Sequence, residues 1–246
     1  MSFATSLALG LVFLPSPPEL VQSFSTRTFP FVIQAWSLFY ELAANLFYAT
    51  TVRFLRLACL LLILLLILPS LIYAAFSFGS LDLGAEWVTM PAGFARSFFS
   101  FFAGVLVFRL RPKGLVLPAW SAWVCIVVLL AVLYVSPGFS GLRVAYDLMM
   151  VILVFPLLTL VASCVSEEPR NQAIFDFAGA ASYPLYVLHG AFVMWVRFLF
   201  GIFGVPAANM SYVFWLAVFA LVIAAAARID MSYERPAIRW LRSKLP

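Results

Sequence analysis

The sequence predicts an all-α protein, a polytopic bundle of about eight transmembrane helices. Of its 246 residues, 65% are hydrophobic and only 10% are charged. Soluble domains use about a quarter charged residues to cover their surface, so most of the outer surface here must face lipid. Apolar runs such as residues 57–68 and 213–227 exceed the ~10 residues of a transmembrane strand and do not alternate in polarity, which favours helices over a barrel.

Eight apolar segments follow one another, and each is a candidate helix because the backbone in lipid must satisfy its own hydrogen bonds. The first is short for a span of about 20 residues, and the prolines at 15–18 end it. The predicted spans are residues 3–14, 31–49, 54–76, 93–110, 115–135, 142–164, 182–200 and 212–229. Without an internal repeat or a soluble segment, residues 1–246 are expected to form one membrane domain.

The connectors between these segments collect the polar and helix-breaking residues. A basic turn at residues 109–113 follows the fourth span, and the turn Ser136-Pro137-Gly138 follows the fifth. A polar link at residues 167–170 and a short amphipathic piece at residues 174–181 precede the seventh span. Pro69 lies inside the third span, where it is expected to kink the helix.

The basic residues predict the orientation. With the N-terminus in the cytoplasm and alternating spans, 11 of the 15 Lys and Arg residues fall at inside ends and loops, and Arg27, Arg96, Arg143 and Arg197 fall outside. Cytoplasmic loops carry such an excess of positive charge. We therefore expect a multi-pass protein of the inner membrane with both termini in the cytoplasm.

The net charge of +5 is explained by this topology, so membrane lipids are the expected partner and nucleic acid is not. Cys59, Cys125 and Cys164 all lie in apolar spans without metal-ligand spacing, and such cysteines pack as small apolar residues. No metal site is therefore predicted.

Glu41 is the clearest functional candidate, because it lies about ten residues into the second span. A charge near the bilayer centre costs about 3 kcal/mol on insertion scales. Ser37 lies four residues before it and shares its helical face, and Trp36 and Tyr40 share the adjoining face. These residues predict one wall with an acid, a hydroxyl and two aromatic rings. The alternative is a structural glutamate paired with an arginine of another helix.

His189 is the only histidine, and Ser182, Tyr186 and His189 follow at spacings of four and three that place them on one face. An imidazole in such a position acts as a base or hydrogen-bonds a substrate, since its pKa lies near neutrality. The alternative is a hydrogen-bonded packing residue.

Arg96 and Arg197 lie near the outside ends of their spans. One interpretation is that they extend to the lipid headgroups. The other is that they face the bundle and pair with Glu41 or with an anionic ligand.

Four motifs in order resemble the acyltransferase-3 family, the integral membrane acyltransferases of polysaccharide O-acetylation. They are Trp36-Ser37-Leu38-x-x-Glu41 followed by Phe47-Tyr48, Arg96-Ser97-Phe98-Phe99 with Gly104, Gly179-x-x-Ser182-Tyr183-x-x-Tyr186-x-x-His189, and Glu234-x-Pro236. The resemblance covers residues 31 to 240. It identifies the catalytic candidates as Glu41 and His189, and the substrate-binding candidates as Trp36, Ser37, Tyr40, Arg96, Ser182 and Tyr186.

The resemblance also implies that the chain lacks the family's first helices. Members have about ten helices, the first of which carries an arginine and a histidine thought to be the general base, and a later one carries arginines that hold the acyl-coenzyme A phosphates. Nothing here matches those residues. His189 belongs to a different motif, so the resemblance does not assign it the role of the missing base. Residue 1 is expected to correspond to a position near the family's fourth helix.

The implied reaction is transfer of an acyl group, usually acetyl, from cytoplasmic acyl-coenzyme A to a hydroxyl of a sugar or lipid-linked glycan. Acyl-coenzyme A is then a donor substrate and no bound cofactor is expected. Two alternatives remain: a transporter or flippase of a glycan or small solute, in which buried Glu and Arg would bind cargo, and a fragment without activity.

Overall fold

The computed structural model describes residues 2–21, 25–32, 34–135, 137–138, 141–166, 169–204 and 210–244. Helix makes up 79% of these described residues, which confirms the all-α prediction. Extended pairing among the described residues consists of two isolated bridges, an antiparallel one between Arg27 and Glu86 and a parallel one between Leu117 and Val165.

The helices are numbered here along the chain. They are α1 Ser2–Leu11, α2 Pro18–Val21, α3 Ala35–Thr51, α4 Leu57–Phe78, α5 Met90–Leu110, α6 Trp120–Tyr134, α7 Gly141–Met149, α8 Phe155–Ser163, α9 Pro169–Ile202, α10 Tyr212–Ile229 and α11 Arg235–Lys244. A 3₁₀ turn, Trp87–Thr89, leads into α5, and π-helical turns join α7 to α8 and α10 to α11.

Within the described residues, five helical segments are long and apolar enough to cross a membrane. They are Leu57–Phe78, Trp87–Leu110, Gly141–Ser163, Gln172–Ile202 and Tyr212–Lys244. At most 28% of the apolar window of any of them is buried inside the protein, so their outer faces require lipid. The helices α1, α3 and α6 have 10, 17 and 15 residues, fewer than the ~20 that a span requires. The predicted count of about eight spans is therefore not confirmed.

The seventh predicted span differs from the structure in its length. One continuous helix, α9, replaces the expected short amphipathic piece and separate span, and Pro184 lies inside it. Proline removes one backbone hydrogen bond from a helix, a loss that membrane helices tolerate. Pro69 likewise lies inside α4.

The two π-helical turns, Met150–Val154 and Asp230–Glu234, each end two residues before a proline. In each turn a backbone N–H bonds the carbonyl five residues earlier, from Phe155 to Met150 and from Arg235 to Asp230. Residues five apart point about 140° away from each other on an α-helix. The wider turn brings Arg235 Nε to 2.6 Å from Asp230 Oδ2, and this ion pair holds the junction with α11.

The chain forms two compact units. The first comprises residues 1–31 and 35–167, and the second comprises residues 32–34 and 168–246. In the first unit α5 packs against α3, α4 and α8. Phe94, Phe98 and Phe102 recur every four residues on α5, with neighbouring ring centroids 5.9 and 6.1 Å apart. Phe102 and Leu60 of α4 are fully buried, so the Phe102 end of this aromatic row lies in the core of the unit.

One end of the first unit is closed by loop segments held together by hydrogen bonds. Ser16 N donates to Thr28 O at 2.8 Å, and Thr28 N donates to Ala85 O at 3.0 Å. Trp87 Nε1 donates to the carbonyl oxygen of Ser16 at 2.7 Å. Because these bonds join residues far apart in sequence, they fix the loop between α4 and α5, on which part of the candidate site depends.

In the second unit α9 and α10 pack side by side. The rings of Phe200 and Phe214 meet edge to face with centroids 5.2 Å apart. Val222 and Ala226 of α10 are buried, since small side chains let membrane helices approach closely.

Candidate functional site

Four of the predicted site residues lie on the first two turns of α3. Trp36 and Ser37 are half-buried, Tyr40 is buried, and Glu41 is exposed. The buried face of α3 is completed by Ala35, Leu38 and Ala44. The helix therefore turns Tyr40 into the first unit and Glu41 away from it.

Tyr40 is held by the loop between α4 and α5. Its hydroxyl donates to the backbone carbonyl of Gly84 at 2.8 Å. The ring packs edge-on against Phe94, with centroids 4.7 Å apart. Burying a tyrosine requires a partner for its hydroxyl, and the loop carbonyl supplies one. Tyr40 thus fixes the loop to α3, and its predicted role in binding substrate remains a prediction.

Two glycines make room for Tyr40. A Cβ on Gly93 would lie 2.7 Å from Gly84 Cα and 2.7 Å from Tyr40 Cε2. Gly84 also has a φ of +118°, which favours glycine. Both glycines are therefore needed where the loop, α5 and the tyrosine ring meet.

Arg96 on α5 connects two of the predicted motifs. Its Nη1 donates to the backbone carbonyl of Leu81 at 2.6 Å, and its guanidinium carbon lies 5.3 Å from the ring centroid of Trp36. An arginine over an indole gains a cation–π attraction. The structure therefore brings Trp36 and Arg96 together, although they lie 60 residues apart in sequence.

Glu41 takes part in none of the ion pairs among the described residues, which are Arg143 with Asp147 and Arg235 with Asp230. Its backbone carbonyl accepts from Asn45 Nδ2 at 2.9 Å. The alternative of a structural glutamate paired with arginine is thus not seen in the described residues. The carboxylate is exposed and accessible to a ligand.

The other three predicted residues lie on α9 in the second unit. Ser182 Oγ donates to the carbonyl of Gly179 at 2.7 Å, and the rings of Tyr186 and His189 have centroids 5.6 Å apart. His189 Nδ1 lies 2.7 Å from the carbonyl of Tyr186. A carbonyl only accepts, so Nδ1 carries the hydrogen and Nε2 of the neutral ring keeps a lone pair. The helix backbone thereby selects the tautomer in which Nε2 can accept a proton or a hydrogen bond.

Gln34 lies against the residue that follows His189. A Cβ on Gly190 would lie 1.5 Å from Gln34 Nε2, so the amide occupies the space that a side chain would take. The sequence offered no sign of this neighbour, because Gln34 precedes α3 and belongs to none of the motifs.

No group of three or more His, Cys, Asp or Glu side chains within the described part of the chain could hold a metal ion. The described side chains near Trp36 and near His189 are hydrogen-bond donors, hydrogen-bond acceptors and aromatic rings. Acid–base chemistry and the binding of hydroxyl groups are what such side chains can perform.

The comparison with known families decides what this chain is. A family model described as an acyltransferase domain matches residues 2–229. The chain belongs to the acyltransferase-3 family. The resemblance drawn from the four motifs is therefore confirmed, and membership of the acyltransferase-3 family implies acyl transfer at a membrane. No curated protein and no solved structure shows a match.

Proposed function

We propose that this acyltransferase-3 protein transfers an acyl group, most commonly acetyl, from acyl-coenzyme A to a hydroxyl of a cell-surface or lipid-linked glycan. This is an O-acetylation of envelope polysaccharide. Family membership supports acyl transfer, and the observation that carries the proposal beyond it is the His189 ring, whose Nε2 remains open while Nδ1 is bound to the helix backbone.

The reaction joins a hydroxyl oxygen to a thioester carbonyl carbon. The C–O ester bond forms, the C–S bond breaks, the hydroxyl proton passes to a base, and coenzyme A leaves and takes up a proton as the thiol. His189 Nε2 accepts the hydrogen of the acceptor hydroxyl. Glu41, on α3 of the first unit, is the other catalytic candidate: its exposed carboxylate can accept a hydrogen from a hydroxyl, and Ser37 lies one turn away on the same face.

The contacts support the proposed binding roles. Arg96 and Trp36 present a cation and an indole beside each other, and Ser182 and Tyr186 lie on the face of α9 that carries His189. Tyr40 supports the pair of Arg96 and Trp36, because its hydrogen bond to Gly84 holds the loop between α4 and α5. We place these residues on the acceptor side and acyl-coenzyme A, the donor, on the cytoplasmic side.

Glu41→Gln is expected to lower acyl transfer about 100-fold or more, because general acid–base groups contribute about 10²–10⁴-fold and glutamine keeps the size without the charge. Membranes containing the protein would be supplied with acetyl-coenzyme A labelled in the acetyl group, and label in the envelope glycan would be counted. Glu19→Gln is the matched control, since Glu19 is exposed on α2 and belongs to none of the candidate motifs. A full rate for Glu41→Gln would remove Glu41 from the mechanism.

The proposed topology, an inner-membrane protein with both termini in the cytoplasm, predicts the behaviour of reporter fusions. Green fluorescent protein fused after residue 246 should fluoresce, and alkaline phosphatase at the same place should be inactive, because the basic residues of α11 stay inside. A phosphatase fusion after Gly204, between α9 and α10, is the matched control and should be active. An active phosphatase after residue 246 would refute this orientation.

A further inference from the structure

A groove of about 560 Å³ opens in the first unit beside Arg96, between α5, α6 and α7. Small-molecule sites in proteins occupy about 300–1,000 Å³. Its lining includes the loop residue Leu81, whose N–H donates to Asp147 Oδ2 at 2.8 Å and whose carbonyl accepts from Arg96. The groove is therefore framed by side chains that the fold already holds in place.

One wall of the groove is polar and is formed by α5. Arg96, Ser97 and Ser100 line it. Arg96 and Ser97 lie four and three residues before Ser100, spacings at which side chains are neighbours on a helix surface. Serine and threonine inside a helix commonly donate back to its own carbonyls, as Thr50 does to Leu46 and Thr159 to Phe155. The hydroxyls of Ser97 and Ser100 have no such bond among the described residues. They are open to a ligand.

The groove carries no net charge. Arg143 pairs with Asp147 at 2.9 Å, and the remaining charged residues of the lining are Arg96 and Asp82. Two cations and two anions give an anionic ligand no net attraction. The charge balance favours a neutral ligand with many hydroxyl groups.

The remaining lining includes an apolar wall that contains Val132, Met150 and Phe155. A sugar ring has hydroxyl edges and C–H faces, and apolar or aromatic side chains cover such faces. Met150 belongs to the π-helical turn, and such turns recur at functional sites. One polar wall and one apolar wall thus complement both surfaces of a sugar ring.

We propose that this groove binds an uncharged sugar ring of the glycan acceptor, with its hydroxyl edge on Arg96, Ser97 and Ser100 and its C–H face on Val132, Met150 and Phe155. This inference rests on the proposed function, because it names the chemical class of the glycan acceptor in that function. A neutral sugar can be tested without the donor, so binding and acyl transfer are measured separately.

The experiment uses the full chain in lipid nanodiscs and saturation-transfer NMR. The probes are the methyl glycosides of glucose, galactose, rhamnose and N-acetylglucosamine, with methyl glucuronide as the charged counterpart. At least one neutral glycoside should bind, and more tightly than the glucuronide. The double variant Ser97→Ala with Ser100→Ala should weaken that binding about tenfold, since each hydrogen bond contributes about 0.5–1.5 kcal/mol.

Ser70→Ala is the matched control, because Ser70 lies on α4 and lines a separate apolar groove between α4 and α5. This variant should bind the glycoside as tightly as the unmodified chain does. Circular dichroism and elution volume check that the double variant is folded. Three results would each overturn the inference: none of the neutral glycosides binds, the double variant binds as tightly as the control, or soluble glycerophosphoglycerol displaces the glycoside, which would make the groove a lipid-headgroup site.

The acetyl-transfer assay run on the same variants separates the two proposals. Glycoside binding that depends on Ser97 and Ser100 without acetyl transfer would leave the sugar site standing and remove the proposed function. Acetyl transfer with an unchanged rate and KM in the double variant would remove the sugar site and leave the proposed function standing.

Discussion

Gly93→Ala is expected to destabilise the first unit more than the same change at any other glycine of α5. The new methyl would lie 2.7 Å from Gly84 Cα and 2.7 Å from the ring of Tyr40. Neither neighbour can move cheaply, because one is backbone and the other is a buried ring whose hydroxyl is bound to Gly84. Overpacking of this kind costs about 1–3 kcal/mol.

Gly104→Ala on the same helix isolates this cost. A Cβ at Gly104 meets nothing within 4 Å, so alanine there brings only its helix propensity, a gain of about 1 kcal/mol over glycine. Gly93→Ala brings the same gain in helix propensity. The difference in stability between the two variants therefore measures the cost of overpacking at Gly93. Thermal unfolding in detergent, followed by tryptophan fluorescence, should give a lower midpoint for Gly93→Ala than for Gly104→Ala. Equal midpoints would show that Tyr40 and the loop rearrange freely.

Gly93→Ala should also affect function, because the loop it displaces holds Arg96. The loop that Gly84 and Tyr40 fix also carries the Leu81 carbonyl that Arg96 binds, and Arg96 lies over Trp36. A shifted loop should therefore reduce substrate binding as well as stability. The tight contact at Gly93 connects the fold of this unit to its predicted site.

Much of the fold could be predicted from composition and spacing. Few charges and long apolar runs leave helices in lipid as the stable arrangement, and the structure is helical. The face shared by Ser182, Tyr186 and His189 follows from local helical spacing alone, which is why it could be read from the sequence. The family follows from the motifs and their order.

The features that sequence reasoning missed are long-range contacts. The hydroxyl of Tyr40 donates to the carbonyl of Gly84, 44 residues along the chain, and nothing local to α3 indicates that partner. The nearness of Gln34 to Gly190 has the same origin. The span count depended on where helices begin and end, and α3 and α6 proved shorter than their apolar segments because loops take up the flanking residues.

His189→Asn is expected to lower acetyl transfer about 100-fold or more while leaving the fold intact. The asparagine Nδ2 can replace Nδ1 as donor to the Tyr186 carbonyl, which His189 binds at 2.7 Å. It has no counterpart of Nε2, so the acceptor for the hydroxyl hydrogen is lost. The same labelled-acetyl assay measures the rate, and thermal unfolding of the variant should match that of the unmodified chain.

Two further variants on α9 determine what Nε2 does. His189→Gln places an amide near the position of Nε2, which can hold a hydroxyl but cannot take its proton, so it should remain as slow as His189→Asn if Nε2 receives the proton. A rate within about tenfold of the unmodified chain would instead match the loss of one hydrogen bond and would make His189 a binding residue. Tyr183→Phe is the matched control, because Tyr183 is exposed on α9 six residues before His189 and therefore on a different face. Its rate should equal that of the unmodified chain, which ties the loss to Nε2 and not to a disturbed helix.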